Sequence, residues 1–386
     1  MNKKVAIKLA GLAAVAVLTL SACGTQAAGP SSSLPTALGD YEGAVSILGW
    51  PGYVEDGSND PAVDWVSSFE DATGCQVTFK SYGTSDEALS LFKTGDYDVI
   101  AASGDATLRL VASGDVAEIN TDLIPSYAGV FDFLKDRDWN TVDGKNYGIP
   151  HGYGANLLMY NKDAVTPAPT SWDVVFDKAS TYKGKVTAYD SPIYIADAAV
   201  YLMTHNPELG ITHPYSLDET QLQAAVDLLK AQRQNVGEYW SDYLKEIQAF
   251  ETGDSVVGTT WQVIANSMSA EANVATVLPT EGATGWSDTW MIGSASKAPN
   301  CAYAWLNHIA SPEINAAATE YFGEAPSSAD ACNFTDGCES YHAGDAEYAS
   351  KIWYWTTPVE KCLDGRTDTT CTDYSRWTTA WQEIKG

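Results

Sequence analysis

Apolar and polar positions along this chain switch repeatedly between a two-residue and a helical period. Ala44-Val45-Ser46-Ile47-Leu48-Gly49-Trp50 reads as a strand ending in Gly-Trp. Residues 60–73 read as a helix, with Asn59 or Asp60 as cap, Pro61 in its first turn and Gly74 just past its end. Residues 75–80 alternate and are β-branched, as in a half-buried strand. Residues 85–94 give a second helix, capped by Ser85 or Asp86 and stopped at Gly95, and the apolar run 97–101 a third strand. This order predicts a parallel sheet covered by helices. Right-handed crossovers then put Trp50-Pro51-Gly52-Tyr53 and Ala102-Ser103-Gly104-Asp105 on one sheet edge. Open α/β sheets bind ligands at that edge.

A second α/β block follows Asn146-Tyr147-Gly148-Ile149-Pro150. Its predicted strands are 155–160, 184–188, 255–260 and 275–278, with predicted helices at 171–178, 195–205, 218–234 and 242–252. Residues 285–292 return to a strand pattern and 300–310 to a helix. The tail from Ala331 is rich in Cys, Asp, Thr and Trp.

The start of the chain changes where this α/β protein is expected to work. Lys3 and Lys4 precede an apolar run over residues 5–20, interrupted by Lys8, and small residues follow at Ser21 and Ala22. That is the layout of a secretory signal peptide. The run is too short and too broken for a span of ~20 apolar residues. Leu20-Ser21-Ala22-Cys23 resembles the lipobox of bacterial lipoproteins, which implies lipidation of Cys23 and a membrane-anchored, extracytoplasmic protein. Residues 24–38, of Gly, Ser, Pro, Thr and Ala character, read as a flexible tether.

Charge and cysteine content fit export. Three of the 22 basic residues belong to the leader, leaving 19 against 50 acidic ones, a formal charge of −31. Such a surface repels nucleic-acid phosphates. Six cysteines follow Cys23, and an even count in an oxidising compartment predicts disulfides. Cys332 with Cys338 and Cys362 with Cys371 would close short loops, leaving Cys75 with Cys301, although six cysteines allow fifteen pairings. No Cys-x-x-Cys is present and the five histidines are scattered, so neither a metal site nor a cofactor is expected.

Six segments, in order, carry a resemblance. They are Gly49-Trp50-Pro51-Gly52-Tyr53-Val54, Gly95-Asp96-Tyr97-Asp98-Val99-Ile100, Gly148-Ile149-Pro150-His151-Gly152-Tyr153-Gly154, Thr170-Ser171-Trp172-Asp173, Thr259-Thr260-Trp261 and Gly285-Trp286-Ser287-Asp288. Over roughly residues 45–325 the chain resembles the type II extracellular solute-binding proteins of ABC importers, in particular the spermidine/putrescine-binding branch. The resemblance implies a two-lobed α/β periplasmic-binding-protein fold with two hinge crossings, near 147–150 and 278–286. Lobe 1 would comprise 40–148 plus 284–330, and lobe 2 149–283 plus the disulfide-rich tail 331–386. It further implies a monomeric receptor, not an enzyme, that passes a small organic cation to a membrane permease.

The resemblance also implies the site. Trp50 and Tyr53 match an aromatic pair, Trp261 and Trp286 stacking walls, and Asp288 and Asp190 the carboxylates that receive amines. Cation–π contacts of about 0.5–2 kcal/mol each would supplement the carboxylates. Two positions depart from the family: Asp105 stands where a tyrosine is usual, and Ile193 where a glutamate is usual. Asp105 is therefore expected to face the ligand as a substitute acid. The departures leave room for a quaternary ammonium, an amino-acid-like zwitterion or a sugar instead. The tail glutamine of the family has no clear match near Trp353 and Trp355. An exported hydrolase is the rival from another class, but Gly-x-Ser-x-Gly and His-Glu-x-x-His are absent.

Overall fold

The computed structural model describes residues 34–386. The leader, Cys23 and most of the tether lie outside the described residues.

Two sheets carry the molecule. The first has the strand order Gln76–Ser81, Ala44–Gly49, Val99–Ala102, Thr289–Ile292, Gly148–Pro150. Its first three strands are parallel, and Thr289–Ile292 is antiparallel to both of its neighbours. The second has the order Ile352–Tyr354, Ala283–Trp286, Gly152–Asn161, Val257–Trp261, Val186–Tyr189, Val236–Trp240. Its ten-residue strand Gly152–Asn161 pairs with Ala283–Trp286 near its start and with Val274–Val277 at its end. Each sheet has its own apolar core, the first around Ile47, Ile100, Trp290 and Trp305, the second around Leu158, Ala188, Trp240 and Trp377. The second core also takes in Val130, Leu134 and Trp139 from the segment before the first crossing.

The chain passes between the sheets at His151, and again at Ser287–Asp288. The first crossing follows directly on the expected stretch 147–150; the second lies beyond the expected 278–286. The single strand expected over 285–292 is in fact two. Gly285 and Trp286 pair with Ala155 and Gly154 of the second sheet, whereas Thr289–Ile292 pairs with the first. Periodicity registers an extended backbone but not a change of partner.

Two helix expectations are also corrected. The first helix begins at Val66 rather than Asp60, because Trp65 and Val66 donate their N–H groups to Glu55 O and residues 60–63 close a turn. Residues 171–178 form only a 3₁₀ turn, Trp172–Val174, started by Ser171 and anchored by the Trp172 indole on Gly282 O. Trp172, Val174, Val175 and Phe176 are all buried and Asp177 and Lys178 exposed, so buried and exposed positions run in blocks rather than at a helical period. Elsewhere local chemistry governs: Asp218 caps Glu219–Arg233 in a full capping box, and Asp242 caps Tyr243–Glu251.

The disulfides are Cys75–Cys301, Cys332–Cys338 and Cys362–Cys371, the pairing expected. The last lies in a tail whose helix, Tyr374–Lys385, buries Trp377, Trp381 and Ile384 against the second core.

The second core also holds acids. Asp197 is 4 % exposed and accepts a hydrogen bond from Thr284, and burial pushes its carboxyl up to about 8. Glu246 is likewise raised well above the usual range by burial between Thr187 and Thr260. The unfolded value for Asp is about 4. Between about pH 4 and about 8, the folded chain therefore keeps a proton on Asp197 that the unfolded chain has released. Stability from this group falls as pH rises, by at most ~1.4 kcal/mol per pH unit. Asp197→Asn is expected to flatten the slope: its urea midpoint should exceed that of the parent at pH 8, and the gap should close as pH falls to about 4. An unchanged pH slope would contradict this.

Candidate functional site

Between the two sheets lies a cavity of about 430 Å³. Its first-lobe wall comes from strand ends. Trp50 and Tyr53 sit on the turn after Ala44–Gly49, Tyr82 directly after Gln76–Ser81, and Ser103 directly after Val99–Ala102. Each parallel strand thus delivers a side chain to the same edge, as its β–α–β connectivity dictates. The Trp50 indole donates to Ser103 Oγ at 3.2 Å, and Tyr82 donates to Ala101 O at 2.5 Å, its ring 4.5 Å from that of Trp50.

The second-lobe wall is aromatic. Trp261 ends the strand Val257–Trp261, Trp286 ends Ala283–Trp286, and Trp355 follows Ile352–Tyr354. The Trp261 ring centroid is 6.1 Å from that of Trp286, 6.4 Å from that of Trp355 and, across the cleft, 6.5 Å from that of Trp50. Glycine makes room for this wall. A Cβ on Gly154 would overlap the Trp286 ring, and one on Gly152 would press on the carboxyl of Glu324. Glu324 is buried and accepts the Trp286 indole N–H at 2.6 Å, which fixes that ring. Burial, with Asp288 nearby, holds the Glu324 carboxyl well above the ordinary range.

Asp288 lies on the second crossing, 2 % exposed, at the cavity floor. Its Oδ2 accepts from the Tyr53 hydroxyl at 2.9 Å, while Oδ1 has no partner among the described residues. Burial pushes this carboxyl up to about 6, against the nearby donors Ser103, Tyr53 and Trp50. The cavity rim is solvent-exposed at Pro51, Gly83, Ser241, Asp242 and Tyr243. The arrangement offers one buried carboxylate oxygen that makes no hydrogen bond among the described residues, with indole rings around it. It suits a cation that carries N–H groups and apolar carbon.

Of the seven residues expected at the site, Trp50, Tyr53, Trp261, Trp286 and Asp288 line the cavity. The structure does not bring Asp105 and Asp190 to its wall. Asp105, in the first turn of the helix Gly104–Ser113, is buried against the neighbouring helix and accepts from Ser85 at 2.9 Å; burial pushes it up to about 6. Asp190 pairs with Lys385 at 2.9 Å and accepts the Trp381 indole at 3.2 Å, both from the C-terminal helix. Tyr82, Ser103, Asp242, Phe322 and Trp355 line the cavity without having been singled out as ligand contacts. The strand-end rule that selected the 50–53 and 102–105 loops applies equally to Tyr82. Phe322 and Trp355 carry no local signal, since they arrive from helix and tail by tertiary packing.

Known proteins share this fold. The sequence profile described as bacterial extracellular solute-binding protein matches residues 64–343. The putrescine/cadaverine-binding protein of Pseudomonas aeruginosa is 26 % identical over 279 residues, 68 % of this chain and 73 % of that protein. The spermidine/putrescine-binding periplasmic protein of Escherichia coli is 23 % identical over 309 residues, 79 % of this chain and 82 % of that protein. The structure of a putative spermidine/putrescine ABC transporter protein from Listeria monocytogenes superposes with a TM-score of 0.71 at 19 % identity, covering 89 % of this chain and 99 % of that one.

Proposed function

From the premise that the chain belongs to the bacterial extracellular solute-binding proteins, we propose that it is the receptor of an ABC import system for a polyamine or similar organic cation. The observation that carries this reading is Asp288: a buried carboxylate with a free oxygen at the floor of an aromatic cavity between two lobes. The names of the Pseudomonas and Escherichia relatives point to the same ligand class. The receptor is a monomer, held outside the cytoplasm by a lipid on Cys23, and it hands its ligand to a membrane permease. The ligand touches both walls only when the lobes are together, so its binding shifts the population toward the closed form.

Thermal unfolding tests the reading. A ligand at a hundred times its Kd stabilises the native state by about 2.7 kcal/mol. Putrescine, cadaverine or spermidine is expected to raise the melting temperature, while glucose and glutamate leave it unchanged. A rise with a sugar or zwitterion alone would overturn the cation assignment.

A further inference from the structure

Resting on that reading of the cavity, we infer that the site is one-headed: it buries a single ammonium of its ligand, at Asp288, and does not measure the distance to a second. Of the acidic residues on the cavity wall, Asp288 is buried and Asp242 stands exposed on the rim. The other acids near the cleft, among the described residues, stand off the cavity wall. Asp190 already holds an ammonium, that of Lys385, whose Nζ also lies 3.9 Å over the Tyr239 ring. Asp105 is turned onto Ser85, and Glu246 and Asp197 accept from threonines in the second core. Glu324 is not on the cavity wall but behind Trp286, its Oε2 accepting the indole and its Oε1 lying 3.6 Å from His151 Nε2. Ile193 is fully buried.

The wall facing Asp288 across the cleft is therefore indole, not carboxylate. A second ammonium against it would gain only a contact with ring faces. Stripping its water without a counter-charge costs more than that contact returns. The cost wins, so the second amine of a diamine stays hydrated at the exposed rim, beside Asp242 and Tyr243. Asp242 offers little there, because it caps the helix Tyr243–Glu251 by accepting Leu244 N–H, and a helix N-terminus disfavours a cation. At Asp288 the opposite holds. The unpartnered Oδ1 is satisfied by an N–H donor, which a primary ammonium has and a quaternary one lacks.

Calorimetric titration of the intact protein with two matched series tests this: the α,ω-diamines from three to six carbons and the corresponding 1-aminoalkanes, with choline as the head that lacks N–H. Each diamine is expected to bind within about tenfold of the monoamine of equal length, without a sharp optimum of length. Choline is expected to bind at least about tenfold more weakly than butylamine. A diamine bound more than about tenfold tighter than its monoamine would show a second buried ammonium and overturn the inference, leaving the receptor reading intact. Choline binding as well as butylamine would remove the N–H requirement. If neither amine series binds, the cation reading itself fails.

Discussion

Asp288→Asn is expected to weaken amine binding by at least about 30-fold while raising the stability of the unliganded protein. The substitution keeps the shape of the side chain and an oxygen to accept from Tyr53, whose hydroxyl now meets Oδ2 at 2.9 Å. It removes the charge. Truncating one partner of a buried, hydrogen-bonded charge pair costs roughly 2–5 kcal/mol of binding, and 2 kcal/mol is about 30-fold. The unliganded protein responds in the opposite direction. Burial pushes the carboxyl up to about 6, so above that pH the native state carries an uncompensated buried anion, which an amide does not. The pH dependence follows with the same sign. An amine needs the carboxylate, so affinity in the parent falls as pH drops through about 6, and the variant loses that dependence. Isothermal titration at pH 5 and pH 8, with urea denaturation of the unliganded forms, reads all three effects. Unchanged affinity at pH 8 would remove Asp288 from the site.

Gly104→Ala is expected to cost about 100-fold in affinity, although Gly104 itself does not line the cavity. Gly104 opens the helix Gly104–Ser113 of the first lobe, and its α-carbon lies against the backbone carbonyl of Trp355, which belongs to the second. A methyl there would overlap that oxygen, and the carbonyl cannot rotate aside as a flexible side chain can. Thr357 donates to Gly104 O at 2.9 Å, which holds the two surfaces in register. Alanine suits a helix better than glycine, so the first lobe by itself is not weakened. The strain exists only when the lobes meet. Overpacking costs of about 1–3 kcal/mol then fall on the closed form alone, and the upper end corresponds to about 100-fold in binding. Small-angle scattering should show the variant remaining more open than the parent at the same ligand concentration, with an unchanged unfolding midpoint. Affinity within about threefold of the parent would show that the lobes close without this contact.

Much of the candidate site was legible because it obeys a topological rule. Trp50, Tyr53 and Ser103 follow parallel strands whose hydrophobic runs are plain in the sequence, and such strands end on one edge. Trp261, Trp286 and Asp288 came from resemblance, since their strands enter a second sheet whose order no local pattern reveals. Asp105 and Asp190 show the limit. Each lies within three residues of the end of a strand near the cleft, so sequence position alone recommends both. What removes them is a partner distant along the chain or on a neighbouring element: Lys385 and Trp381 for Asp190, Ser85 for Asp105.

Local periodicity, caps and turn residues were therefore enough to establish two α/β blocks and most of their helices, because those choices rest on interactions within a few residues. Cysteine spacing, in an exported chain, was enough to suggest a pairing. Which strands share a sheet, where the extended run 285–292 changes lobes, and which carboxylate faces the cleft rather than the protein's own lysine depend on contacts between residues tens to nearly two hundred positions apart. A carboxylate binds whichever cation packing brings to it, and packing is a property of the folded whole.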